Sequence, residues 1–517
     1  MNLKRMLETA AGQYGGKTVI VSGGRRVSYS ELENESSRLA EALVKVGISR
    51  GDRVAVMAAN SPEYIAACFG IVKAGASVVP LDPKYKPAEL DALFGDSRPR
   101  FLVADSEALD LLKPHLSSYP SIEFVIDIDS RSQAPFLNYS ELVSSSAGER
   151  RDYYPDPEDT AFVFYTSGAT FTPLGVMLSH SAMVQEAKLL GDGFGQTDRD
   201  VMILFALPLY HVFGMVAVLL NVIRHGSSLV IVPGTGLSIG SFFAAIEEEK
   251  GTMFVGVPYI FSLAIDMAEK QGIKSDLSSL RICCSSGDFL SVDVIERFRE
   301  LFGHTIIDGF ALTEAVCHVT CVPLDGSLAP GSVGKALPGW QVRTVDESGM
   351  DVGPERSGEI IVKGPITKGY LNNPAATAEF IRDGWFYTGD MGRLDANGVL
   401  YYTGRKKNII ILKGQNIVPD DIEHVLRQHP GIEEAVVFGI PDKMRGEIVA
   451  AAVKSKSGQE LNETEIRKFC LEYMTDYKAP KKVIFVDDVP KTSDGRTDLA
   501  AIKCRLSVSP RFPETTA

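Results

Sequence analysis

The chain has 517 residues, room for about three core-sized units or for one large α/β domain with a small companion, which excludes a disulfide-stapled miniprotein. With 45% hydrophobic and 23% charged residues it can bury a large core, and 47 glycines with 27 prolines fall well short of a low-complexity chain. A net charge of −13 repels phosphate backbones, so nucleic acid is not expected as a main partner.

The opening MNLKRMLETAAGQYGG has Glu8 and polar spacing where a secretory signal would carry an unbroken apolar run, so no export signal is read. Seven cysteines, an odd number without a CxxC pair, suggest neither a disulfide framework nor a zinc knuckle, and a cytoplasmic, reducing setting is expected. A strand is predicted at Arg53–Ala58, then a helix around Ser61–Gly75, then strands at Ser77–Pro80, Phe101–Ala104, Glu123–Ile128, Ser227–Val232 and Met253–Val257. Strands alternating with helices imply crossover connections and a mostly parallel sheet covered on both faces, so the fold class is α/β. Val201–Ile223 carries no Asp, Glu, Lys or Arg over 23 residues, long enough to span a bilayer. Pro208, Tyr210, His211, Gly214 and Asn221 oppose that reading and divide the stretch into a buried strand (Met202–Leu207), a Pro-led turn and an apolar helix after His211. No transmembrane segment is expected.

From about Val333 short strands with Gly turns, as in GEIIVKG and GVLYYTGRKK, read as a small antiparallel sheet or distorted barrel. Beyond Lys407 the pattern becomes a helix at Pro419–His429, strands at Glu434–Gly439 and Glu447–Lys454 and a helix at Glu463–Leu471, an α+β lobe of roughly 110 residues.

Five segments carry chemistry. Phe164–His180, FYTSGATFTPLGVMLSH, reads as a strand, a Ser/Thr/Gly turn and a helix, able to offer N–H groups, hydroxyls and a helix N-terminus to a phosphate; a plain surface loop is the other reading. It is not the P-loop GxxxxGK[ST]. Asp308–Glu314, DGFALTE, places Phe310 to stack on a base, Thr313 to bond a phosphate and Glu314 to hold Mg²⁺, although a lone Glu is also an ordinary surface acid. In WFYTGD, Asp390 can accept from a ribose diol. In GRKKNIIILKGQNIVPDDIE, Arg405 can fork onto ribose or phosphate oxygens and Lys413 sits on a Gly turn. PKTSDGRTDL carries Lys491 and Arg496 in a polar loop.

In this order and spacing, and together with Arg25–Asn34, Gly51–Tyr64 and GYLNNPAATAEFIRDGWFYTGD, these segments resemble the adenylate-forming superfamily of acyl-CoA synthetases, 4-coumarate–CoA ligases, beetle luciferases and peptide-synthetase adenylation domains over essentially the whole chain. The resemblance implies a large N-terminal domain (1–404) of layered α/β subdomains with a small β-barrel-like subdomain, a hinge at 405–407 and a mobile α+β C-terminal domain (408–517). It implies ATP, giving AMP, together with Mg²⁺ and CoA. A carboxylic acid and ATP give an acyl-adenylate and pyrophosphate, and then the C-terminal domain turns and a thiol takes the acyl group. Carried over by position, Thr166, Ser167, Gly168, Thr170 and Gly175 belong to the phosphate loop; Ser286, Gly287, Asp288, Gly309, Phe310 and Ala311 line the adenine. Thr313 meets the α-phosphate, Glu314 with Thr170 the Mg²⁺, and Asp390 with Arg405 the ribose. Lys407 is the hinge residue, Lys413 with Gly414 enters the site for thioester formation, and His211 is an acyl-pocket or gate residue, the alternative being a hydrogen-bonded core histidine.

Three departures stand out. Where the family reads SG[ST]TGxPKG, Ser167–Gly175 reads SGATFTPLG, with Ala169, Phe171 and Leu174 removing a hydroxyl, a glycine and a cation. Arg496 stands where the family has the lysine that bridges carboxylate and α-phosphate, and its planar fork is not an ammonium. GFALTE replaces GYGxTE. The AMP half of the site is thus better kept than the pyrophosphate half. An AMP-forming acid–CoA ligase acting on a fatty or aromatic acid is the first reading. The alternatives are a same-fold acyltransferase using a preformed adenylate or thioester, and a non-catalytic nucleotide- or CoA-binding homologue. The thiol is that of CoA or of a phosphopantetheinyl carrier protein; the oligomeric state is not legible.

Overall fold

Runs such as Arg53–Met57 and Phe101–Ala104 are apolar on both faces, the signature of strands buried between helical layers. In the computed structural model, which describes residues 1–131, 135–147, 154–166, 174–232, 238–272, 275–288, 290–325, 327, 331–405, 409–442, 444–456, 459, 461–490, 499 and 502–503, they enter two seven-stranded sheets rather than one. The first runs, in spatial order, Leu137–Asn138, Phe124–Asp127, Phe101–Ala104, Arg53–Met57, Ser77–Pro80, Thr160–Thr166 and Leu174–Ser179. All its pairings are parallel except the last. The second runs Ile306–Asp308, Ile282–Ser285, Met253–Gly256, Val201–Leu204, Ser228–Ile231, Thr18–Ser22 and Arg25–Ser28, again parallel but for its last pair.

Helices cover these sheets. The helix Pro62–Lys73 starts at Ser61, whose hydroxyl accepts the Tyr64 N–H at 3.0 Å, with Pro62 in the first turn where a missing N–H costs nothing. Nearly all of that helix is buried. The apolar stretch at Val201–Ile223 folds as expected in kind. Its strand stops at Leu204, sooner than Leu207, because Ala206 turns the chain with φ +56° ahead of Pro208. The helix that follows is π-wound over Phe213–Leu220 before becoming α-helical at Asn221–His225. Gly214 is required there: a Cβ would clash with the Pro208 carbonyl oxygen. Among the described residues no helix is long and apolar enough to cross a membrane.

A five-stranded antiparallel sheet follows, with Gln341–Val345, Gly358–Lys363, Trp385–Leu394 and Ile381–Arg382 in order and Leu400–Arg405 on the Trp385–Leu394 strand. The chain divides into two compact units, one holding Met1–Lys84, Leu90–Thr166 and Leu174–Lys406, the other centred on Lys407–Ala517. The second has its own core, built on a sheet ordered Gln415–Ile417, Ile410–Leu412, Gly446–Ser455 and Ile432–Asp442, with Lys482–Phe485 parallel to Gly446–Ser455. The helices Pro419–Arg427 and Glu463–Tyr473 contribute Ile422, Leu426, Ile466 and Cys470 to that core.

Candidate active site

The expected strand–turn–helix at Phe164–His180 is corrected. Leu174–Ser179 is a strand, paired antiparallel with Thr160–Thr166, and the helix begins only at His180. A helix N-terminus therefore does not adjoin the loop, and Ser167, Gly168, Ala169, Thr170 and Phe171 lie outside the described residues. Thr166 and Leu174 face each other in register where the loop leaves and rejoins the sheet. Leu174 is half-buried and packs on the main core. Gly175 is a strand residue: a Cβ would come within 3.0 Å of Val163, 3.2 Å of Leu371 and 3.2 Å of Tyr165. Its carbonyl accepts the Leu371 N–H at 2.7 Å, which stitches this strand to the Thr367–Leu371 segment.

That segment also holds Glu314. The Tyr370 hydroxyl donates to Glu314 Oε1 at 3.0 Å, and the Thr367 N–H donates to the Glu314 carbonyl at 2.7 Å. Burial first, and then the Glu314 charge, push the Tyr370 phenol well above its ordinary range, so it stays a donor. Thr313 and Glu314 lie on a single 3₁₀ turn, Thr313–Ala315, at the tip of a hairpin-like excursion. Below the tip the Leu312 N–H meets the Cys317 carbonyl, Ala311 bridges His318, and the Val319 N–H meets the Phe310 carbonyl. Val316 closes the tip with φ +62°, a conformation that costs a β-branched residue about 1–3 kcal/mol.

The predicted adenine residues surround the base of that excursion. Ser286 Oγ donates to the Gly309 carbonyl at 2.8 Å, tying the end of Ile282–Ser285 to the end of Ile306–Asp308. Gly287 takes φ +86°. Phe310 is buried, with the Tyr402 ring 6.4 Å away at 30°. Asp308 ends the Ile306–Asp308 strand and is given no role of its own by the sequence. Burial raises its carboxyl to about 8 against the relief from the Gly309 N–H, and Asp288 raises it further. Asp390 is buried and lies directly across the Trp385–Leu394 and Leu400–Arg405 hairpin from Arg405.

His211 follows the Pro208 turn, its N–H on the Pro208 carbonyl and its ring 5.0 Å from Tyr210. Its apolar surroundings hold the imidazole down at about 4, so it is neutral near pH 7. No hydrogen bond to its imidazole is seen among the described residues. In the second unit Lys413 and Gly414, at φ +52° and +78°, form the two-residue turn between Ile410–Leu412 and Gln415–Ile417. That is the left-handed pair a tight hairpin requires, and the Lys413 N–H is fixed on the Arg445 carbonyl at 2.9 Å. Lys407, Lys491 and Arg496 lie outside the described residues.

Within one unit, Gly175 is thus linked through Leu371 and Tyr370 to Glu314, the Thr313–Glu314 turn is joined through its hairpin to Phe310 and Gly309, and Phe310 reaches the Asp390 and Arg405 sheet through Tyr402. Tyr370, which orients Glu314, went unnoticed in the sequence; the motif GYLNNP was its only signal. Parallel sheets with the candidate residues at the carboxyl ends of strands, beside a small antiparallel sheet that sets Asp390 opposite Arg405 in register, are the layout of an α/β enzyme with its candidate site at strand ends. The chain matches the family model of the AMP-binding enzyme over residues 7–371 and that of the AMP-binding enzyme C-terminal domain over residues 421–496. It is 32% identical to a long-chain-fatty-acid–CoA ligase of Bacillus subtilis across 96% of this chain and 92% of that one. Similar solved structures include the o-succinylbenzoate–CoA synthetase of Bacillus subtilis bound with a product analogue, with a TM-score of 0.85, 26% identity and coverage of 96% of this chain and 97% of that chain. They also include the amide bond synthetase of Marinactinospora thermotolerans, with a TM-score of 0.87, 26% identity and coverage of 98% and 99%. The chain belongs to the AMP-binding enzyme family.

Proposed function

We propose that this chain is an AMP-forming carboxylic acid–CoA ligase acting on a fatty or aromatic acid. The observation that carries the proposal is the linkage, in one unit, of the Thr313–Glu314 turn, the Ser286–Gly309 clasp and the Asp390–Arg405 pair, a set that suits one adenosine monophosphate moiety. Attack of a carboxylate on a phosphate is anion on anion, so donors and cations must offset both charges. Thr313 donates to the α-phosphate, and Asp390 with Arg405 holds the ribose. Arg496 supplies the positive charge between carboxylate and phosphate, and Lys413 serves the thiol step, with 405–407 as hinge. Mg²⁺ keeps most of its waters and takes one or two carboxylates beside substrate phosphates, a demand that a carboxylate aimed by Tyr370 meets; Glu314, with Thr170, would hold it, and the ion would offset phosphate charge.

The segments His211–Gly214, Val257–Tyr259, Ser285–Gly287 and Gly309–Phe310 supply apolar and aromatic lining, which favours a fatty or aromatic acid. The similarity to a long-chain-fatty-acid–CoA ligase supports the same reading. CoA is the thiol in this proposal, and a carrier-protein phosphopantetheine is the alternative. Incubation with ATP, Mg²⁺, CoA and a panel of acids, read by mass spectrometry, tests it: acyl-CoA and AMP are expected from at least one fatty or aromatic acid.

One observation favours a second reading. The half-buried Leu174 packs against the core where the family pattern has a cation. Acyl transfer from a ready-made adenylate, with ATP-dependent adenylation impaired, would follow from that loss. Thiolysis of a synthetic acyl-adenylate without any ATP-dependent product would select it.

A further inference from the structure

The two large sheets present their middle strands, Arg53–Met57 and Val201–Leu204, each the fourth of seven. Three residues beyond the carboxyl end of the first comes Asn60; three beyond the end of the second comes Leu207. The Asn60 carboxamide spans the gap with both of its functions. Its Nδ2 donates to the Leu207 carbonyl at 3.0 Å, and its Oδ1 accepts the Leu209 N–H at 2.9 Å. One side chain thereby replaces the partners that Pro208 denies this turn, since proline has no N–H and the flanking peptide groups have left the sheet.

Asn60 is itself held rigidly. The Ala59 N–H on one side donates to Asp105 Oδ2 at 2.9 Å, and Ser61 on the other caps the helix Pro62–Lys73. The turn it grips leads straight to His211, whose N–H returns to the Pro208 carbonyl, while the His211 carbonyl accepts from Met215 and begins the π-wound segment. Ala206 at φ +56° and Gly214 close against the Pro208 carbonyl shape the bend that Asn60 holds.

We infer that Asn60 is a positioning residue, fastening the carboxyl ends of the two central strands to each other and so setting where the His211 turn stands for the acid. The inference rests on the reading of His211 as an acyl-pocket residue. An amide suits this place because it offers one donor and one acceptor in a plane; Asp would set a carboxylate oxygen against the Leu207 carbonyl, and Ala would leave both peptide groups without partners.

The test uses the full chain and the variants Asn60→Ala and Asn60→Asp. Carbethoxylation of His211 by diethyl pyrocarbonate is followed by peptide mass spectrometry, with His304 in the same molecules as internal reference, beside steady-state kinetics with decanoate and phenylacetate. Both variants are expected to label His211 about fivefold faster than the native chain, and to raise the KM for the acid about fivefold with that for ATP within about twofold. Native labelling of His211 in either folded variant, with a lowered melting temperature as the only change, overturns the inference. Where Asn60→Ala does not yield folded protein, Asn60→Asp carries the comparison. If neither acid turns over in the native chain, the ligase reading is what fails on those acids, and the labelling rates still decide the role of Asn60.

Discussion

The Tyr370 hydroxyl donates to Glu314 Oε1 at 3.0 Å across 56 residues of sequence, and the Thr367 N–H holds the Glu314 carbonyl from the same segment. An acid proposed to hold Mg²⁺ is thus oriented by a motif far away in the chain. Replacing Tyr370 by Phe keeps the ring packed against Phe380 and removes only the bond. Adenylation is expected to fall about tenfold, equivalent to about 1.4 kcal/mol of barrier. The Mg²⁺ concentration for half-maximal rate should rise with it. Unchanged Mg²⁺ dependence would remove Tyr370 from the site.

Gly175 offers a separation of packing from phosphate binding. Gly175→Ala puts a methyl within 3.0–3.2 Å of Val163, Tyr165 and Leu371, so overpacking of about 1–3 kcal/mol is expected, read as a lower denaturation midpoint. The KM for ATP should move little. A large rise in that KM at native stability would instead make this glycine a direct phosphate contact.

Restoring the family pattern tests whether Leu174, Phe171 and Arg496 slow adenylation. The triple replacement Leu174→Lys, Phe171→Gly, Arg496→Lys is expected to raise acid-dependent adenylation at least ~tenfold. Because Leu174 packs on the core, the gain should come with some loss of thermal stability. No gain in rate means that the native residues are not the handicap.

Glu186 adds a pH dependence. It is buried, accepting the His318 N–H and the Trp340 indole N–H at 3.0 Å each, and burial raises it from 4.5 to about 8. The folded chain therefore keeps a proton that the unfolded chain gives up. The resulting stability is fully present below about pH 4.5 and is lost as pH rises to about 8, with a slope of at most ~1.4 kcal/mol per pH unit. Glu186→Gln should flatten the urea midpoint against pH in that window. A profile parallel to the native one would show that Glu186 does not titrate there.

Much of the fold was legible because buried parallel strands are short apolar runs bounded by turns: Ser77–Pro80 and Phe101–Ala104 fall where the sequence places them. Beyond Lys407 the helices Pro419–Arg427 and Glu463–Tyr473 and the strands Ile432–Asp442 and Gly446–Ser455 were readable from their periodicity, with ends that differ by a few residues. Leu174–Ser179 was misread because the helical pattern starting at His180 was extended back over a strand whose pairing with Thr160–Thr166 leaves no mark in LGVMLS. The division into two sheets was equally hidden, since either arrangement uses the same buried strands. Thr313, Glu314, Asp390 and Arg405 stood in recognisable motifs. Tyr370, Asp308 and Asn60 did not stand out, since their importance lies in distant partners or in burial rather than in residue type.

Formation of an acyl-adenylate is the step that the proposed ligase activity requires. Acid-dependent exchange of labelled pyrophosphate into ATP measures that step alone. Exchange is predicted for the native chain with a fatty or aromatic acid, and its loss in Asp390→Ala. A chain that binds ATP yet exchanges with no acid of either class would contradict the account.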